Sequence, residues 1–285
     1  MRYSERRYTG PDGSLSLYAR DYGGDGPPLL MMHGLTRNSG DFDGLAAHLA
    51  GNYRLIVPDQ RGRGRSDYDP DPSRYRPDVY AADMFALLEE LGVERPGVVG
   101  TSMGGLIALV MNAMRPGIFP AVVFNDIGPV LSPEGLARIG GYVGGGKPMA
   151  DWDEAASACA AINRDAFPDF AEADWRDWAR RTCRELPDGR VEYAYDPAIA
   201  AGFEDTAAPQ PDLWPLWEAL GDTAVLVVRG ALSDLLSART VETMGQRHRG
   251  PFAKVTVPGR GHAPLLDEPA ALGAIRPFLQ THLPG

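Results

Sequence analysis

Apolar positions along the chain fall into two alternating patterns. Residues 4–9 and 15–22 switch between apolar and polar around Gly10-Pro11-Asp12-Gly13, which predicts an antiparallel hairpin at a sheet edge. Short, largely apolar runs follow at 29–32, 53–57, 98–99, 121–124 and 224–228, and 253–257 reads as one more strand. Runs of this length are expected of strands covered on both faces. Between them, residues 42–49, 79–91, 237–244, 265–279 and the stretch after Ser102 read as helices. Strands alternating with helices predict an α/β fold, a mostly parallel eight-stranded sheet flanked by helices, with ligands at the carboxyl ends of its strands.

The alternation fails between 128 and 222, too long a stretch to be an ordinary loop. The reading is therefore a core of residues 1–127 and 223–285 with a helical cap inserted at 128–222. Its predicted helices are 134–139, 152–162 with Asp151 as N-cap, 171–185 and 213–220. Gly140-Gly141 and Gly144-Gly145-Gly146 read as hinges or tight turns. All five tryptophans, Trp152, Trp175, Trp178, Trp214 and Trp217, lie in this insertion. Trp152, Trp175 and Trp214 are expected to line an apolar pocket under the cap; the alternative is that such rings only fasten the cap to the sheet.

His33, Asp59, Ser102 and Asp126 each follow a predicted strand end, so they share one rim. Ser102 is the centre of Gly100-Thr101-Ser102-Met103-Gly104, a G-x-S-x-G turn entered by a strand and left by a helix. The serine of such a turn has a strained backbone, and a side chain at Gly100 or Gly104 would collide with a neighbouring element. The helix start supplies the Met103 N–H and the positive end of a helix dipole. A serine hydroxyl is a poor nucleophile without a base and a group to orient that base. His262 and Asp234 lie in loops after the last two strands, and with Ser102 they give the chain order Ser, Asp, His.

A net charge of −10 argues against a nucleic-acid partner, since no broad basic face is available to neutralise phosphates. Cys159 and Cys183 have no metal-like spacing, so no metal is expected and the two read as unpaired structural thiols. Residues 1–8 contain arginines but no apolar segment follows them, and no later run approaches membrane-spanning length; a cytoplasmic protein without a membrane partner is the expectation.

Taken together, His33-Gly34, Asp59 to Ser66, the turn at Ser102, Asp234 and Gly261-His262 make the chain resemble the α/β-hydrolase fold superfamily. Within it, the chain is similar to capped serine hydrolases, which include esterases, lactonases and carbon–carbon bond hydrolases of aromatic degradation. The resemblance covers nearly all of the chain outside the insertion. It implies Ser102 as nucleophile, His262 as general base and then acid, and Asp234 holding the imidazole tautomer. It also implies an oxyanion hole of the Leu35 and Met103 N–H groups, with His33 and Gly34 shaping the loop. Asp126 is the alternative acid, because some relatives place it there. Asp59 is expected to tie down its own turn, and Arg37 is either a surface charge or a partner for a substrate carboxylate.

The implied activity needs no cofactor: hydrolysis of a small carboxylic ester or lactone with an apolar acyl part, through an acyl-enzyme. The alternatives are a carbon–carbon bond hydrolase of diketo acids and a non-catalytic binding protein on the same fold. Leu35-Thr36-Arg37-Asn38 departs from the glycine-rich segment of the former. A monomer or homodimer is expected.

Overall fold

Strands β3 (Pro28–Met32), β5 (Gly97–Thr101) and β6 (Ala121–Asn125) lie inside the sheet, and their successive side chains point to opposite faces. Leu30, Met32, Val98 and Val122 join the apolar layer under α2 (Pro77–Glu90) and α3 (Met103–Met114). Leu29, Met31, Val99 and Val123 join the layer under α1 (Asp43–Leu49) and α9 (Pro269–His282). Both faces are dry, which is why these strands read as unbroken apolar runs.

The computed structural model describes residues 2–203 and 211–283. With β1 (Ser4–Thr9), β2 (Ser16–Asp21), β4 (Arg54–Asp59), β9 (Ala224–Gly230) and β10 (Phe252–Val257), the sheet has eight strands in the order β1-β2-β4-β3-β5-β6-β9-β10. The first two form the edge hairpin, pairing Ser4 with Asp21, and β2 runs antiparallel to β4. All other pairings are parallel, so the loops after β3, β4, β5, β6, β9 and β10 open on one rim.

Between β6 and β9 lie α4 (Pro133–Tyr142), α5 (Trp152–Asn163), α6 (Glu172–Thr182), the strands β7 (Cys183–Glu185) and β8 (Val191–Tyr193), and α7 (Trp214–Glu218). Asp151 caps α5, accepting the N–H groups of Asp153 at 3.0 Å and Glu154 at 2.9 Å. After β9, α8 (Ala238–Arg247) is capped by Ser237. Cys159 and Cys183 are free and buried. No helix among the described residues is long and apolar enough to cross a membrane.

Three expectations are corrected. The helix expected over 171–185 stops at Thr182, and the chain leaves extended as β7, paired antiparallel with β8. The turn chemistry is Pro187-Asp188-Gly189, with Gly189 at φ 86°, a signal of a tight reversal; three-residue strands are too short to display alternation. Gly140 and Gly141 are helical, inside α4, and the break comes at Gly144 and Gly146, both at positive φ. The last helix begins at Pro269 instead of 265, because the Glu268 carboxylate accepts the N–H groups of Leu265 (3.0 Å) and Leu266 (2.9 Å) in the loop before it.

The loop after β4 is held by Arg61, whose side chain is buried between Asp83, in bidentate contact at 2.6 and 2.7 Å, and Asp69. Arg61→Met should cost about 3–5 kcal/mol, because it strands the buried Asp83 carboxylate and leaves Asp69 only Arg74, at 3.4 Å. Urea unfolding would measure this, and a loss below about 1 kcal/mol would contradict the reading of this cluster as the loop's anchor.

Candidate active site

Ser102 stands between β5 and α3 at φ 51° and ψ −116°, a conformation that side chains resist. It is possible because its neighbours lack side chains. A Cβ on Gly100 would lie 2.6 Å from the Gly105 nitrogen, and one on Gly104 would lie 2.1 Å from the Met32 carbonyl oxygen. The turn presents the hydroxyl at the rim, with the N-terminus of α3 beneath it.

His262, in the loop after β10, places Nε2 2.9 Å from Ser102 Oγ. Its Nδ1 lies 2.8 Å from Asp126 Oδ2. Asp126 is fully buried and at φ 53°. Its carboxylate also accepts the Gly230 N–H at 2.8 Å and the Ser233 hydroxyl at 2.6 Å. Asn125, one residue earlier, donates to Thr101 Oγ1 (3.0 Å) and to the Pro264 carbonyl (2.8 Å), tying the end of β5 to the histidine loop.

The carboxylate at the imidazole is therefore Asp126, and the expectation of Asp234 is corrected. Asp126 comes directly off β6, which lies between β5 and β9. Asp234 comes four residues after β9 ends, where the loop has turned toward α4, and its carboxylate binds Arg138 of that helix, at 2.9 Å to Nη2. The β9 loop reaches the site through Ser233, a residue the sequence reading missed. The signal available was a hydroxyl in the same loop as the aspartate favoured there.

The loop after β3 borders the serine so closely that a Cβ on Gly34 would lie 3.6 Å from Ser102 Cβ. His33 fastens it: Nε2 accepts the Gln60 N–H at 3.0 Å, so Nδ1 carries the proton donated to the Gly34 carbonyl at 2.7 Å. Burial, with the charges of Arg63 and Arg37 nearby, pulls its pKa down to about 3, so this imidazole is a neutral strut. The N–H groups of Leu35 and Met103 donate to no protein acceptor among the described residues. Asp59, fully buried, ties its turn by accepting the Arg65 N–H (2.8 Å), and joins it to the loop after β3 by accepting the Ser39 N–H (2.6 Å).

Ser102 and His262 face a cavity of about 530 Å³. Leu106, Ile127, Leu136 and Ile139 supply apolar wall, and Trp178 and Tyr193 close it from the inserted segment. The tryptophans expected there are elsewhere. Trp152 is bonded to Glu185 at 3.0 Å, Trp175 packs on Phe167, Phe170 and Trp178, and Trp214 lies under Arg247. Trp178, not singled out from sequence, is the ring that lines the cavity. Arg37 stacks on it, guanidinium carbon 3.8 Å from the ring centroid, and pairs with Asp41. Among the described residues, no group of three or more His, Cys, Asp or Glu side chains is gathered as a metal site would need.

A family model described as the alpha/beta hydrolase fold matches residues 27–193. The chain belongs to the α/β-hydrolase fold family. It is similar to a 3-hydroxybutyrate-oligomer hydrolase of Cupriavidus necator, 37% identical over 262 residues that cover 89% of this chain and 88% of that one. It is also similar to a 2-(acetamidomethylene)succinate hydrolase of Mesorhizobium japonicum, 29% identical over 88% of this chain and 86% of that one. A crystal structure of an α/β hydrolase from Novosphingobium aromaticivorans superposes with a TM-score of 0.91 at 45% identity, covering 98% of each chain.

The histidine strut gives a stability test. An unfolded imidazole takes up a proton near pH 6.5, whereas folded His33 does so only near pH 3. The unfolded state therefore holds more protons in that window, and stability falls as pH falls through it. Between pH 7 and 5 the wild type should lose about 2 kcal/mol more than His33→Asn. Denaturant titrations of both proteins across that range measure the difference, and parallel curves would show that His33 titrates normally.

Proposed function

We propose that the protein is a serine hydrolase of carboxylic esters, acting through an acyl-enzyme on Ser102. The observation that carries this reading is the hydrogen-bonded chain from Ser102 through His262 to Asp126 at a cavity with apolar walls, beside the Leu35 and Met103 N–H groups, which donate to no protein acceptor among the described residues. Ser102 Oγ attacks the ester carbonyl as its proton passes to His262 Nε2. Asp126 keeps the other imidazole proton on Nδ1 and stabilises the imidazolium. The oxygen that becomes negative takes hydrogen bonds from the Leu35 and Met103 N–H groups, with the start of α3 adding its dipole. His262 returns the proton to the leaving alcohol, then activates the water that releases the acid.

Residues 128–222 act as a cap on this reading, excluding water through the surfaces of α4, α6 and β8. The apolar walls favour an apolar acyl part. Esters of hydroxy acids, oligomers of 3-hydroxybutyrate first, are the substrates that the similarity to the Cupriavidus necator enzyme supports. Such substrates end in a carboxylate, and of the two arginines that line the cavity, Arg37 and Arg76, Arg37 is the more buried and the one suited to meet it. Asp41 and Trp178 hold the guanidinium, while Nη1 donates to no protein acceptor among the described residues.

An organophosphonate should label Ser102 stoichiometrically, and a folded, unlabelled protein would remove the acyl-enzyme reading. Asp126→Asn should lower kcat by about 10⁴-fold on a p-nitrophenyl ester, while Asp234→Asn leaves it unchanged; the reverse order would restore Asp234 as the acid. Arg37→Met should raise KM for a 3-hydroxybutyrate dimer but not for its methyl ester. Equal changes for both would show that Arg37 does not read the carboxylate.

A further inference from the structure

Arg61 and Arg63 lie two residues apart in the loop after β4, and both are fully buried. Arg61 is enclosed by Asp83 and Asp69. Arg63 has no Asp or Glu within 4.0 Å among the described residues. Its guanidinium rests on dipoles. Nε donates to the Leu35 carbonyl at 2.9 Å, and Nη1 donates to the Arg61 carbonyl and the Tyr80 hydroxyl, both at 2.8 Å. Nη2 lies 3.7 Å from the Met103 sulfur, and the Tyr75 and Tyr80 rings lie 5.4 and 5.0 Å from Cζ.

A buried cation without a counter-ion is costly, and burial without an anion is unusual unless something else requires the charge. The loop's attachment to the segment between β6 and β9 does not require it. Backbone bonds from Gly64 N–H to the Ala194 carbonyl and from Asp196 N–H to the Gly62 carbonyl, each 2.7 Å, already fasten the loop to the inserted segment. What distinguishes Arg63 is its company, because Leu35 and Met103, the two residues whose N–H groups the esterase reading assigns to the oxyanion, are both in contact with it, through the Leu35 carbonyl and the Met103 sulfur. Its charge also opposes protonation of His33, after the larger effect of burial, so its field reaches the loop after β3.

We propose that Arg63 is a positioning residue for the oxyanion, a fixed positive charge whose missing partner is the negative oxygen of the tetrahedral intermediate. This rests on the esterase reading above. No proton leaves the guanidinium. It holds the Leu35 carbonyl from behind, keeping that residue's N–H aimed at Ser102, and its field stabilises the alkoxide formed when Ser102 Oγ bonds to the carbonyl carbon. Because ground-state ester carries no such charge, the effect falls on kcat and not on substrate binding.

Arg63→Gln keeps a donor toward Leu35 and removes the charge, while Arg63→Lys keeps the charge. On a p-nitrophenyl ester, kcat of Arg63→Gln should fall roughly 10- to 100-fold, as for a unit charge screened at an effective dielectric near 20, with KM little changed. Arg63→Lys should recover most of that loss. A trifluoromethyl ketone labelled with ¹³C at its carbonyl forms a hemiketal on Ser102 whose oxyanion titrates by NMR. Its apparent pKa should rise by one to two units, roughly the same energy, in Arg63→Gln and stay near the wild-type value in Arg63→Lys. An unmoved hemiketal pKa in Arg63→Gln, or a kcat loss that Lys does not rescue, overturns the proposal while leaving the esterase reading intact. If Arg63→Gln does not fold, Arg63→Lys alone decides, since a raised hemiketal pKa with the charge retained also overturns it. A wild-type protein that forms no adduct overturns both.

Discussion

The close approach of two backbones, Gly104 on α3 and Met32 at the end of β3, is the constraint on which the rest depends. A methyl group on Gly104 would overlap the Met32 carbonyl, so the helix can descend onto the sheet only without one. That descent lets Ser102 take a backbone conformation costing about 1–3 kcal/mol elsewhere in a chain. The same contact determines what stands beside the serine. Met32 is followed at once by His33, Gly34 and Leu35, so the strand that crowds α3 delivers the loop bordering the hydroxyl. One steric fact thus places both the candidate nucleophile and the loop beside it.

Around that turn, buried polar groups are satisfied in three different ways. Among the described residues Asp126 has three donors and no guanidinium, so its charge is directed toward the imidazole instead of being cancelled by an arginine. His33 is kept neutral and acts as a brace between two loops. Arg63 is buried with only dipoles and aromatic faces around it among the described residues. In a cavity with apolar walls such fields are weakly screened. On the esterase reading, that is where the negative oxygen forms, beside Leu35 and Met103.

The pattern of apolar runs disclosed the sheet because a strand buried on both faces has no choice of residue type, and the glycines beside Ser102 were legible because sterics allow nothing else. The acid was harder to read. Asp126 and Asp234 both follow strands next to each other in the sheet, and nothing local distinguishes them. The difference is that Arg138, nearly 100 residues before Asp234 in sequence, meets it across α4, while β6 delivers Asp126 straight to the histidine. The tryptophans failed for a similar reason. Helical spacing says which rings share a face but not what that face meets, so Trp178, and not its neighbour Trp175, came to line the cavity. The β7–β8 hairpin escaped because three residues cannot show a period.

By itself, the sequence determined the order of strands and helices, the rim on which the reactive side chains gather, and the identities of Ser102 and His262 as partners to be brought together. These follow from local sterics, from periodic burial and from the right-handed parallel crossovers of such sheets. Only the tertiary structure decided which carboxylate reaches the imidazole, which ring closes the cavity, and that Arg63 is buried among dipoles. Each of these depends on the direction a side chain takes after the chain has turned, and on partners remote in sequence, which no local pattern encodes.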